Sequence, residues 1–206
     1  MITDYNQLTI KDFQELKAIE LESFELTIEK EIAVLSILTG FDRDELERCP
    51  KSELMELTKQ TAFFSQPVPE VLMKTFKIGF KRYWIELEVK NMTAEQFILI
   101  NRYTKTEADT IANLHYLMAV ISYERRWWKK QPFDKDFEAK AELFRNKLTI
   151  DIAYSVSVFF CNLCRSWLQA TQIYLVEKAT EIKTKATKQL NELQKPSRRT
   201  GVGSQR

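Results

Sequence analysis

The run Arg125-Arg126-Trp127-Trp128-Lys129-Lys130 carries the most chemical potential in the chain, because four cations flank two indole rings. Aromatic and basic side chains together can stack on bases and neutralise phosphates. Trp and Arg are also enriched at the energetic centres of protein interfaces, and a loop whose tryptophans pack back on the core has the same composition. We expect four of these residues to bind a protein partner: Arg125, Arg126, Trp127 and Trp128.

Nucleic-acid binding is the alternative function of the same region. It would use the two lysines that follow the tryptophans and two arginines of the basic C-terminal tail, which are Lys129, Lys130, Arg198 and Arg199. Tail cations can contact phosphates without sequence preference. A solvated chain end has the same composition, so both interpretations of the tail stay open.

Metal chemistry has two candidate features in this sequence. Cys161 and Cys164 have the C-x-x-C spacing of a metal or redox pair, but a structural zinc ion needs four ligands and no second cysteine pair accompanies them. His115, the single histidine, stands between Leu114 and Tyr116 in a helical pattern without a nucleophile signature. We therefore predict buried thiols, a structural histidine, and neither a metal nor a cofactor.

Catalysis is disfavoured by the composition as a whole. The chain has 206 residues but four glycines, and only Gly40 and Gly79 precede the last six residues, so glycine-rich phosphate loops are nearly excluded. Its many carboxylates follow helix and hairpin faces as solvated charges do, and choosing two of them as an acid–base pair would be arbitrary. The sequence predicts no catalytic residues and a protein that is not an enzyme.

The compartment follows from the cysteines and from the apolar stretches. Three cysteines in a chain of this size favour a reducing environment over a disulfide framework. The N-terminus lacks the apolar segment of a signal peptide. The most apolar stretch, from Ile150 to Leu168, contains Asp151, Asn162 and Arg165. Its charge-free part, Ile152 to Leu163, is too short for a membrane span, which needs about 20 mostly apolar residues. We expect a cytosolic protein without a membrane partner.

The first 66 residues predict a compact helical unit. Thr9 and Asp12 form a cap-like start for a helix from Ile10 to Leu21, and a second helix from Ile28 to Thr39 ends at Gly40. Asp42 with Glu45 has the pattern of another capping box, before a short turn. Ser52 is expected to cap the helix that carries Leu54, Leu57, Thr61 and Phe64.

A change to a two-residue period near residues 75–88 predicts a β-hairpin. Phe76, Ile78 and Phe80 alternate with lysines, and the alternation resumes after a turn placed at Gly79–Arg82. An isolated hairpin is only marginally stable. It should therefore pack on helices or pair with another strand.

Helices are predicted for most of the remaining chain. Thr93 and Gln96 indicate a capping box before a helix from Ala94 to about Tyr103, and a longer helix is predicted from Glu107 to Tyr123. The basic and aromatic run is expected to be a loop. Two further helices follow, one marked by Phe137, Ala141, Phe144 and Leu148, and a long last one whose apolar stripe fades after Val176.

The predicted fold class is therefore α+β, mainly α-helical. It consists of a helical N-terminal unit (residues 1–66), one central β-hairpin near 75–88, and long C-terminal helices. We expect a single domain over residues 1–194 and a flexible basic tail over residues 195–206.

Several segments, taken in order, resemble a family of tailed-bacteriophage proteins. They are LTIKDFQELKAIE, IEKEIAVLSILTGFDRDELERCPKSELMEL, the hairpin, NMTAEQFILINRYTK and NLHYLMAVISY, and together they span about Leu8 to Phe160. This order is similar to that of tail assembly chaperones and other proteins of the tail gene cluster. The family has no catalytic residues to transfer.

The resemblance implies a role in virion assembly. A protein of this kind would bind the tape-measure and tail-tube proteins, chaperone-like, in the host cell cytoplasm. One alternative is a structural component of the virion, such as a neck, connector or packaged internal protein. A nucleic-acid-binding module is the other.

Overall fold

In the computed structural model, which describes residues 1–126, 129–130 and 137–193, the first helix begins where its cap predicts. Helix α1 (Ile10–Leu21) starts with a capping box, in which Asp12 N donates to Thr9 Oγ1 at 3.2 Å and Thr9 N donates to Asp12 Oδ2 at 3.1 Å. The box satisfies two of the backbone N–H groups that a helix start leaves unpaired. The side chains that face the core are Ile10, Phe13, Leu16 and Ile19.

Helix α2 (Thr27–Thr39) also ends as the sequence predicts. Gly40 has φ +78° and its N–H donates to Ser36 O at 2.9 Å, which closes the helix in the left-handed conformation that glycine adopts without strain. The helix begins one residue earlier than predicted.

The next two helices correct the predicted caps. Helix α3 (Arg43–Arg48) starts after Asp42, but no side-chain hydrogen bond caps it, so the predicted capping box is wrong. Helix α4 (Lys51–Gln60) is preceded by Pro50, and Ser52 lies inside the helix rather than at its cap. Proline imposes the start here because its fixed φ suits the entry to a helix.

A small core holds these helices together. Ile32 and Leu35 of α2 are buried with Leu46 of α3 and Leu54 of α4, and Leu57 packs against them. The apolar period that predicted α4 is confirmed here, although Phe64 lies beyond the helix, in a 3₁₀ turn at Ala62–Ser65.

The predicted hairpin is confirmed. Strand β1 (Thr75–Ile78) pairs antiparallel with strand β2 (Lys81–Ile85), so that Phe76 lies opposite Tyr83. The turn is tighter than predicted, because only Gly79 and Phe80 connect the strands and Gly79 has φ +57°.

The predicted long helix from Glu107 to Tyr123 is wrong. The structure has helix α6 (Glu107–Ala112), helix α7 (Leu114–Ile121) and then strand β3 (Ser122–Arg126). Asn113 ends α6, where both its N–H and its side-chain amide donate to Asp109 O at 2.9 Å. The chain then becomes extended at Ser122, because the edge of β2 is free to pair with it.

The basic and aromatic run, predicted as a loop, contributes strand residues instead. Arg125 and Arg126 end β3, and Lys129–Lys130 forms the short strand β4. The sheet has the order β1-β2-β3-β4, and its pairs are antiparallel. The hairpin thus acquires the pairing partner that its marginal stability requires.

One face of the sheet packs on helix α8 (Glu138–Lys147). Phe76 and Tyr83 stack with ring centroids 5.3 Å apart, and the ring of Phe144 meets them edge-on at 5.3 and 4.9 Å. The four residues that predicted this helix are all buried, which confirms the pattern: Phe137, Ala141, Phe144 and Leu148.

Helix α5 (Ala94–Tyr103) lies against α7. Its predicted capping box of Thr93 and Gln96 is confirmed. The side chain of Gln96 also donates from Nε2 to Val120 O at 2.8 Å, so one residue both caps α5 and ties it to α7.

The last helix, α9 (Ile150–Leu193), begins in the first of two units into which the chain divides. The first unit is Met1–Asn162, where Ala153, Val156 and Phe160 are fully buried. The second unit begins at Leu163. Over the described residues, no helix is long and apolar enough to cross a membrane. The mainly helical α+β fold class is confirmed, whereas the predicted tail, residues 195–206, lies outside the described residues.

Candidate functional site

The predicted partner-binding residues fall on the last two strands of the sheet. Arg125 pairs in register with Lys130, and Arg126 pairs with Lys129. The structure therefore brings two candidates for partner binding opposite two candidates for nucleic-acid binding. The remaining candidates, Trp127, Trp128, Arg198 and Arg199, lie outside the described residues.

A third cationic pair lies on the hairpin and was missed by the sequence analysis. Lys77 of β1 is directly opposite Arg82 of β2, and both side chains are exposed. Like charges directly opposite one another destabilise a sheet. The sequence shows both cations close to Gly79, but only the strand register shows that they are directly opposite each other.

Basic residues dominate the strands as a group. The four strands contain seven basic residues and a single acidic one, Glu124. Their formal charge of +6 exceeds the +2 of the whole chain. The sheet is thus a local concentration of positive charge on a chain that is otherwise slightly acidic.

The single strand carboxylate is already paired. Glu124 Oε1 lies 3.0 Å from Lys81 Nζ. Burial, the charge of Glu124 and a hydrogen bond to Glu124 together raise the pKa of the Tyr83 hydroxyl to about 12. Glu124 therefore serves Lys81 and Tyr83, and it is not the partner of the Lys77–Arg82 pair.

Aromatic rings accompany these cations. Phe80 at the tip of the hairpin is fully exposed to solvent, with a relative exposure of 110%. Trp84 of β2 pairs with Tyr123 of β3, and both are partly exposed. They alternate with the buried Tyr83 and Ile85, so they lie on the face of the sheet directed away from the Phe144 core.

His115 occupies a buried, fully structural environment. Its Nδ1 accepts a hydrogen bond from Gln14 Nε2 at 3.2 Å, and its ring lies 4.2 Å from that of Tyr116. Burial and the charge of Arg145, opposed by Glu142, together lower its pKa to about 4. A neutral, enclosed imidazole supports the structural interpretation of this residue.

The predicted burial of the cysteines is met only in part. Cys161 is half-buried, with its Sγ 3.7 Å from Thr110 Oγ1, and the side chain of Cys164 lies outside the description. No group of three or more His, Cys, Asp or Glu side chains that could hold a metal occurs within the described ranges.

One cleft of the first unit could hold a small ligand. Its volume is about 190 Å³, and its walls include Tyr5, Phe13, Lys17 and Tyr154. Small-molecule sites usually span about 300–1,000 Å³. Lys17 is moreover paired with Glu20 at 2.8 Å, so the cleft offers no free cation to an anionic ligand.

The second unit presents a different surface. Every residue of α9 from 172 to 188 is exposed. Five large apolar side chains in this segment have relative exposures of 55–66%: Ile173, Tyr174, Leu175, Val176 and Ile182. An exposed apolar patch of this kind is typical of a protein-interaction site.

No family model matches the chain, no curated protein is significantly similar to it, and no solved structure matches it.

Proposed function

We propose that the protein is a non-enzymatic assembly protein of a tailed bacteriophage that binds helical structural proteins, chaperone-like, while the tail is being built. The observation that carries this proposal is the exposed apolar segment of α9 at residues 172–188. The resemblance of the sequence between Leu8 and Phe160 to tail assembly proteins supports the phage context.

The exposed segment has the spacing of a helix-binding surface. Leu175, Ala179, Ile182 and Ala186 follow one another at intervals of four, three and four residues. These intervals place all four on one stripe along the helix, because a turn takes about 3.6 residues. Such a stripe is suited to pack against the apolar face of a second helix.

Burial of this stripe would be favourable. Burying one Leu or Ile side chain gains about 1.5–3 kcal/mol, and Leu175 and Ile182 are 59% and 66% exposed. Helices without tertiary packing are only marginally stable in water. A helical partner would therefore stabilise this segment while covering its own apolar face, which is the essence of chaperone-like binding.

The charges that flank the stripe favour a partner of a different sequence. Lys178 and Lys185 lie along one side of it and Lys183 along the other. A second copy of the helix would bring lysines against lysines, whereas an acidic helix would complement them. Glu181 is held on the first side by Lys178 and Lys185, at 2.8 and 2.9 Å. We infer that the tape-measure or tail-tube segment that binds this stripe is a helix with an apolar face and acidic flanks.

The test is co-expression of the full chain with the phage's tape-measure and tail-tube proteins, followed by co-purification. Leu175→Glu/Ile182→Glu places two carboxylates in the stripe. Its matched control, Thr180→Glu/Thr184→Glu, places two on the opposite side of the same helix, at exposed positions. We expect the first variant to lose the partner and the control to retain it. Equal retention by both variants would overturn the proposed surface.

Mass spectrometry of purified virions beside infected-cell lysate tests the assembly role. A chaperone is expected in the lysate and absent from the particles. Presence in particles at fixed stoichiometry would replace the chaperone role with that of a structural virion component.

A further inference from the structure

We propose that the sheet β1-β2-β3-β4 binds single-stranded nucleic acid on the face directed away from the Phe144 core. This proposal stands apart from the assembly role, because it uses a different unit of the chain and different residues. It rests on three observations: the paired cations, the aromatic rings between them, and the exposed phenylalanine at the hairpin tip.

The paired cations imply an anionic ligand. On this face the register joins two exposed basic residues, Lys77 and Arg82. The backbone register also pairs Arg125 with Lys130 farther along the sheet. Like charges directly opposite one another, as Lys77 and Arg82 are, cost stability in the free protein. The acidic residue of the strands, Glu124, is bound to Lys81. A bound polyanion would offset the repulsion that the strands leave uncompensated.

The aromatic residues narrow the class of polyanion. Trp84 and Tyr123 are cross-strand partners on this face, and Arg82 precedes Trp84 by two residues on the same strand and face. Bases stack on such rings while neighbouring cations contact the phosphates. Duplexes hide their base faces, so this combination favours a single strand.

Phe80 extends the platform beyond the strands. Its side chain is completely exposed and therefore contributes nothing to the core that would explain an aromatic residue there. It lies between Gly79 and Lys81, so that a base stacked on it would have a cation beside it. An acidic peptide would need the cations but not this ring, and we therefore favour nucleic acid over an acidic protein.

Fluorescence anisotropy of a labelled 20-nucleotide oligothymidylate with the full chain tests the proposal. We expect binding in 50 mM salt that weakens linearly on a double-logarithmic plot as salt rises. The double variant Lys77→Glu/Arg82→Glu should weaken binding more than tenfold. It should also lower the slope of that plot by about 1.4, the share of two phosphate contacts on a single strand.

A matched variant separates this surface from overall charge. Lys51→Glu/Lys105→Glu makes the same change in net charge at two exposed positions outside the sheet. We expect it to weaken binding less than threefold. Phe80→Ala changes no charge and no buried contact, and should weaken binding about fivefold or more without altering the salt slope, since stacking is the only contact removed.

Three results would overturn the proposal. One is the absence of oligonucleotide binding in 50 mM salt. Another is an equal loss in the sheet variant and in the Lys51→Glu/Lys105→Glu control, which would indicate non-specific attraction. The third is a combination of two observations: polyglutamate competes as effectively as unlabelled oligothymidylate, and Phe80→Ala binds with unchanged affinity. Together they would indicate that the surface binds an acidic protein instead.

Discussion

Gln14 on α1 and His115 on α7 form a polar contact between these two helices. Gln14 Nε2 lies 3.2 Å from His115 Nδ1 and also donates to the carbonyl oxygens of Ile111 and Ala112 at 2.9 and 2.8 Å. Arg145 of α8 completes the arrangement by donating from Nε to Gln14 Oε1 at 3.2 Å. Because an amide nitrogen only donates, a hydrogen bond from Gln14 Nε2 to Nδ1 requires the imidazole tautomer with its proton on Nε2.

Acidification should weaken the fold through this histidine. In the unfolded chain His115 takes up a proton near pH 6.5, but in the fold burial and Arg145 hold its pKa at about 4, with Glu142 opposing them. The contribution of neutral His115 to the free energy of unfolding is therefore complete above pH 6.5 and is lost as the pH falls towards 4. We expect a loss of about 2 kcal/mol between pH 7 and pH 5.

The measurement is urea unfolding at pH 7 and pH 5 for the natural chain and for His115→Gln. The variant cannot take up a proton, so its free energy of unfolding should depend less on pH over this interval. The same pH dependence in both proteins would show that another group is responsible.

A second prediction concerns the strap that joins the N-terminal helices to the hairpin. Ser155 Oγ accepts from Val71 N at 3.0 Å, and its one hydrogen lies within reach of both Pro69 O and Asp151 O at 2.9 Å, so a single buried hydroxyl contacts the strap at two residues. In Ser155→Ala the amide of Val71 loses its acceptor. Its hydrogen exchange should accelerate at least tenfold.

Ser157→Ala is the matched control for the strap. Ser157 is also buried on α9, but its hydroxyl donates within the helix to Tyr154 O at 2.7 Å. Exchange at Val71 should be unchanged in this variant. Acceleration of similar size in both would mean that the strap responds to the helix as a whole rather than to Ser155.

Much of the local structure was predictable, although the caps at Asp42 and Ser52 were not, and the pairing of distant strands was not predictable at all. Thr9 with Asp12, and Thr93 with Gln96, cap their helices through hydrogen bonds over three residues, so the sequence alone contains the whole interaction. Strand β3 forms because the edge of β2, about 40 residues earlier, is open. No local pattern around Ser122 contains that information, because the apolar helical pattern continues through it.

The candidate site divides in the same way. The basic run at Arg125 could be identified by composition, but its pairing with Lys130 depends on register. The Lys77–Arg82 pair was missed because each residue by itself is an ordinary exposed cation. Phe80 was predicted both in the apolar alternation and inside the turn Gly79–Arg82. The tighter turn, in which Gly79 and Phe80 alone connect the strands, places its fully exposed ring at the tip.

The turn itself gives a third prediction. Gly79 has φ +57°, and a Cβ added there would have no atom within 4 Å, so strain in the backbone is the only cost of a side chain. Gly79→Ala should destabilise the first unit by about 1–2 kcal/mol. Gly79→Asn should cost less, because asparagine tolerates this conformation better. Urea unfolding of the natural chain and the two variants checks these free energies, provided that the slope of the unfolding free energy against urea is the same in all three. Equal stability of the three proteins would show that Gly79 is not needed for the turn.

The last prediction separates stability from binding on the sheet. Arg82→Glu converts the repulsive pair with Lys77 into an attractive one, so it should stabilise the free protein by about 0.2–1 kcal/mol. Lys183→Glu, an exposed control in the middle of α9 with no charged residue three or four positions away, should change the stability by less.

Thermal unfolding in low salt is the appropriate measurement, because 1 M salt should abolish the difference by screening the charges. If Arg82→Glu stabilises the chain and weakens oligonucleotide binding, the cation is retained at a cost to folding, as expected of a residue selected for a ligand. A destabilised Arg82→Glu variant would show instead that Arg82 supports the hairpin through its aliphatic stem, and the repulsion between the paired cations would lose its weight as an argument for an anionic ligand.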